Sequence, residues 1–114
     1  MSLTINDVLE LLGDDILSHG FLAQCARDSN NGTSLSVAQL KELLAELLTS
    51  GKVEIGNTRL ASPEYLEFIA WRGTVDERIS RAFDAVDSAI DSDKEFAYWL
   101  CLRENVDSYE DEEQ

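Results

Sequence analysis

Four times along this chain a Ser or Thr stands three residues ahead of an acid or a glutamine: Thr4 before Asp7, Ser36 before Gln39, Thr74 before Glu77 and Ser92 before Glu95. At that spacing the hydroxyl accepts from the amide three residues on while the second side chain reaches back, satisfying amides that a helix N-terminus leaves orphaned. A fifth start is read at Ser62-Pro63, because proline's fixed φ and missing N–H suit the first helical position. Gly13, Gly51 and Gly73 each follow an apolar run and read as left-handed stops.

Between these marks the apolar period is helical. Ile5, Val8, Leu9 and Leu12 share a face, as do Val37, Leu40, Leu44, Leu47 and Leu48. Val75, Ile79, Phe83, Val86 and Ile90 form a third stripe, backed by Asp76, Glu77, Ser80, Asp84 and Asp87. Residues 14–27 are expected to be helical, with Gly20 as the point of division, and 28–33 to be a loop. Further helices are expected over 63–72 and over 93–106. One stretch departs from the pattern. Lys52-Val53-Glu54-Ile55 alternates, Gly56-Asn57 offers a tight turn, and Thr58-Arg59-Leu60 can return, which predicts a hairpin over 52–61.

The text SVAQLKELLAELLTSGKVEIGNTRLA, residues 36–61, resembles the recognition helix and wing of the winged helix-turn-helix superfamily; with the helix near Phe21 to Arg27 the likeness spans 21–61. The fold expected is therefore mainly α with one short β-hairpin, a winged-helix-like core plus C-terminal helices, the alternative being a generic helical bundle. One domain is expected over 1–103. Residues 104–114 hold six acids and no base, and read as a disordered acidic tail.

The resemblance implies DNA binding through the exposed side of the 36–50 helix, with Arg27, Lys41, Lys52 and Arg59 as the nucleic-acid contacts. Charge argues the other way. The 114 residues carry 23 acids against 9 Lys and Arg, a formal net charge of −14, and the reading side of that helix offers Glu42 and Glu46. A polyanion, whether duplex or anionic membrane, is repelled by such a field. The expected function is thus a non-enzymatic, acidic protein-interaction module, with self-association as one form of it. The alternatives are a winged-helix transcriptional regulator and a DNA-mimic inhibitor whose carboxylates fill a partner's basic groove.

Aromatic placement suggests where a partner docks. Trp71 falls between Glu64 and Glu67 on a helical wheel, read either as core or as an interface anchor. Trp99 lies with Phe96 and Leu100 on a wide apolar face with Arg103 in its middle, while Tyr98 looks the other way. An arginine so placed needs a carboxylate partner, an open end or a second copy of the chain.

Nothing points to catalysis, a metal or a cofactor. His19 is the single histidine and reads as a surface or capping residue, and Asp91, Asp93 and Glu95 lack the glycine and glutamate that a calcium loop needs. Cys25 and Cys101 stand apart without CxxC spacing and read as free thiols. With no secretion signal and no apolar run of membrane length, a cytoplasmic location is expected.

Overall fold

The computed structural model describes residues 4–13, 15–29, 31–33 and 35–110. Its helices are α1 (Ile5–Leu12), α2 (His19–Ser29), α3 (Val37–Thr49) and α4 (Val75–Ser88). Its strands are β1 (Ile16–Ser18), β2 (Val53–Ser62), β3 (Tyr65–Ala70), β4 (Trp99–Leu102) and β5 (Ser108–Tyr109). Short 3-10 turns cover Asp91–Phe96 and Arg103–Asn105. The strands form one five-stranded sheet in the order β1-β4-β2-β3-β5, antiparallel throughout except for the parallel β3–β5 pair. The chain is therefore mixed α/β, which overturns the expectation of a mainly helical fold with one hairpin.

The helix starts read from spacing are real where local chemistry decides them. Thr4, Ser36 and Thr74 each accept from the third amide while Asp7, Gln39 and Glu77 bond back to the cap amide. The side chain expected to cap at Ser92 lies outside the described residues. Gly51 follows the end of α3 with φ of 77°, the left-handed conformation that glycine adopts without strain. Gly73, at φ 120°, instead joins β3 to α4.

Three expectations fail, each for a physical reason. Residues 52–61 do not fold back on themselves: β2 runs straight through Gly56-Asn57 and turns only at Pro63-Glu64. Ser62-Pro63 is thus a hairpin turn, since proline's fixed φ suits the second position of a turn as well as a helix start. The helix expected over 63–72 is β3, where the run YLEFIA alternates between two faces. The helix expected over 93–106 is a 3-10 turn, then β4, then a second 3-10 turn. β4 lies between β1 and β2, so Leu100 and Cys101 are both buried and WLCL reads as an unbroken apolar run. Residues 14–27 also divide differently, into β1 and α2, with Gly20 in the first turn of α2. A Cβ there would lie 2.2 Å from the Glu95 Cβ, so Gly20 is small because the Asp91–Phe96 turn packs against it.

The helices cover one face of the sheet. Leu40, Leu43, Leu44, Leu47 and Leu48 of α3, with Val8 and Leu12 of α1, Leu22 of α2 and Ile79 of α4, pack over Leu17, Val53, Ile55 and Leu100. Each fully buried leucine contributes about 2 kcal/mol relative to exposure. On the opposite face lie Phe68, Ala70 and Cys101, flanked by Ile16, Trp99 and Val106.

Part of that second face is closed by the segment expected to be a disordered tail. From the end of β4 the chain passes β2 and β3 to form β5 on the far side of β3, laying Val106 against the Phe68 cluster. Asp107 accepts from the Phe68 amide at 2.8 Å, the Glu110 amide donates to the Ala70 carbonyl at 2.8 Å, and Glu110 takes a bidentate contact from Arg81 at 2.8 and 2.9 Å. Residues 104–110 are thus an ordered strap, and the rest of the expected tail, 111–114, lies outside the described residues. Among the described residues no helix is long and apolar enough to cross a membrane.

Candidate interaction surface

The residues expected to contact a partner are mostly spent on the fold. Trp71 is 3% exposed, and its ring carries the Arg81 guanidinium 4.3 Å from its centroid, so the core reading of this tryptophan holds. Its indole N–H has no hydrogen-bond partner among the described residues. Tyr98 is fully buried, its hydroxyl 2.9 Å from His19 Nδ1. His19 is therefore half-buried and bonded rather than a surface residue. Burial, and then Lys94, lowers its pKa below the ordinary histidine value.

Arg103 finds its carboxylate within the chain. Glu54, on the second face at the middle of the sheet, is 3% exposed and accepts from Arg103 Nε at 2.8 Å and from Arg78 Nη1 at 2.7 Å, with Tyr109 Oη at 3.5 Å. Two guanidiniums on one buried carboxylate make the site structurally costly to break, and they tie α4 and the strap to the central strand. Lys52-Val53-Glu54-Ile55 marked the strand, but nothing local showed that its acid would be interior.

The four cations named for nucleic acid do not form one surface. Arg27 donates to Gln24 on α2 at 2.6 Å, and Lys41 of α3 places its ammonium 5.2 Å over the Phe83 ring. Lys52 immediately precedes β2 and Arg59 lies within it, roughly 23 Å further along at about 3.3 Å per residue, and Arg59 is paired with Glu67.

What the molecule does present is the far end of the β2–β3 hairpin, which pattern reading passed over because it placed Leu60 in a returning strand and Tyr65 and Leu66 in a helix. Beyond Gly56, β2 pairs only with β3 among the described residues. On this two-stranded projection Leu60 and Leu66 are cross-strand partners, 67% and 41% exposed, and Tyr65 beside them is 50% exposed. The Tyr65 hydroxyl donates to Asp107, which raises the pKa of the phenol and fixes the ring at the strap. Nearer the sheet, Phe96 is 53% exposed and stacks on Trp99 with centroids 5.7 Å apart, and Trp99 lies opposite Gly56. Thr58, Leu60, Leu66 and Trp99 fall on one face, since Gly56 and its partner Trp99 share it and side chains alternate.

No cluster of three or more potential metal-ligating side chains occurs among the described residues. No family model, curated protein or solved structure matches the chain, and this neither supports nor opposes the winged-helix resemblance.

Proposed function

We propose that this chain is a non-enzymatic protein-interaction module that docks through the projecting end of the β2–β3 hairpin. The observation that carries the reading is the exposed Leu60–Leu66 pair with Tyr65 beside it, at the far end of the two-stranded ribbon. Large apolar side chains gathered on a projection lose nothing on folding and gain on association. The field of a −14 chain favours polypeptide partners over nucleic acid, and the scatter of Arg27 on α2, Lys41 on α3, Lys52 before β2 and Arg59 within it supports the same preference.

The test is affinity capture from the native cell with the wild-type chain and with Leu60→Asp and Leu66→Asp. Both positions are exposed, so the variants are expected to fold. A partner retained by wild type and lost from both variants is the expected result. Identical capture by all three chains, or no capture by wild type, refutes the assignment.

A further inference from the structure

We propose that the open edge of β2, residues 57–62, accepts an extended, cationic polypeptide segment as an added strand; this rests on the interaction-module reading and names the partner's chemistry. The register sets which peptide groups are available. The Ile55 carbonyl accepts from the Trp71 amide at 2.9 Å, and the Lys52 carbonyl accepts from the Arg103 amide at 2.8 Å. Odd positions of β2 therefore turn their peptide groups toward β3, and even positions toward β4. Pairing with β4 stops at Gly56, whereas pairing with β3 continues to Ser62. The N–H and C=O groups of Thr58 and Leu60 thus point past the end of β4 toward no strand among the described residues. The open stretch is about 20 Å long at roughly 3.3 Å per residue, enough for a strand of ordinary length.

The opposite edge of the same hairpin is treated differently. There the outward Phe68 amide is occupied by the Asp107 carboxylate and the Ala70 carbonyl by the Glu110 amide. Sheet proteins commonly blunt or cover an edge to prevent pairing with other chains, and among the described residues such cover is on one side of the ribbon only.

Side chains say what kind of strand fits. An added strand would lie in line with β4, its alternate residues falling beside Thr58, Leu60 and the Phe96–Trp99 stack, which calls for apolar groups there. On the other face lie Arg59 and Glu67, already paired with each other. Arg59 is the only Lys or Arg from 53 to 71, and Glu64, Glu67, Asp93 and Glu95 are nearby in sequence to the ribbon or the aromatic stack. A second copy of the chain would bring fourteen further excess negative charges to this edge. A segment alternating apolar and basic residues brings complementary charge and the right periodicity.

The probe is a short fluorescein-labelled peptide of alternating valine and lysine, titrated by fluorescence anisotropy at physiological salt. Binding is expected, weakened by about tenfold or more when the probe's alternate amides are N-methylated, since the hydrogen bonds to the edge are then lost. Thr58→Pro is expected to weaken it similarly, because it removes an outward donor and leaves the bonds to β3 in place. The N-methylated probe acts on the wild-type chain, so it decides the matter if Thr58→Pro does not fold. Equal binding of the N-methylated probe, equal binding of a valine–glutamate peptide, or a dimer dissolved by Thr58→Pro would each overturn the proposal. If Leu60→Asp and Leu66→Asp abolish capture of a cellular partner while N-methylation leaves the probe unaffected, strand addition fails and the interaction-module reading survives; loss of both results ends both.

Discussion

The hydroxyl of the fully buried Tyr98 lies 2.9 Å from Nδ1 of His19, with the rings tilted and their centroids 5.0 Å apart. The pair is hydrogen-bonded in either tautomer of the neutral imidazole: Nδ1 accepts the phenol proton when Nε2 is protonated, and Nδ1–H donates to the phenol oxygen otherwise. Burial and Lys94 hold the histidine pKa below its ordinary value, so the unfolded chain takes up the proton first as pH falls. Stability contributed by this pair is therefore whole above about pH 6.5 and declines as pH drops from there through the folded-state value. Urea titrations of wild type and His19→Gln between pH 7.5 and pH 5 check it: the variant should lose part of the decline. Tyr98→Phe should cost about 1 kcal/mol at neutral pH.

Glu54 carries the largest electrostatic stake in the fold. Replacing it with alanine leaves Arg78, whose side chain is 12% exposed, without its buried counter-charge. The expected cost is about 3 kcal/mol, read from urea denaturation midpoints at constant slope. Arg103→Ala should move the midpoint much less than Glu54→Ala, because that side chain is 56% exposed and water screens the pair.

The strap controls access to Cys101. This thiol is 1% exposed, and burial, with Asp107 nearby, pushes its pKa up to about 11, so it reacts slowly with alkylating agents. Asp107→Ala removes the acceptor for the Phe68 amide and the Tyr65 hydroxyl. In a Cys25→Ser background it should speed Cys101 labelling by about tenfold through more frequent local opening. An unchanged rate would mean that the strap is held without Asp107.

Gly56 sits where β2 passes between Trp99 and Ala70. A Cβ at this position would lie 2.0 Å from the Ile69 carbonyl oxygen and 2.9 Å from the Ala70 Cα, both backbone atoms that cannot turn aside. Gly56→Ala should therefore lower stability by about 2 kcal/mol or more, measured by thermal denaturation, even though alanine is ordinarily tolerated in strands.

What could be read from the chain divides by the range of the interaction. The caps at Thr4, Ser36 and Thr74 are made by groups three residues apart, and spacing exposed them. The stripe on α3 was equally plain, because a helix shows its buried side every three or four residues. Strands depend on distant partners: β1 is three residues long and pairs with β4 from the other end of the chain, so no local period could mark it. In β3, Tyr65, Leu66, Phe68 and Ile69 fit a helical wheel as well as a pleat, and Pro63 suited both. The exposed apolar end of the hairpin was hidden for the same reason. Leu60 and Leu66 become neighbours only when 52–70 forms one long hairpin, a pairing that the turn read at Gly56-Asn57 forbade.

The strand order imposes a sequence of events on the growing polypeptide. β1 is made before the other strands, but the strand it pairs with, β4, is made after β2 and β3, and β5 follows later still. Until residue 102 has left the ribosome the start of the chain has no strand to join, and until residue 110 has done so Phe68 and Ala70 lack their cover. Assembly of this sheet thus waits until residue 110 has been made, and until then apolar surface stays open to nascent-chain chaperones.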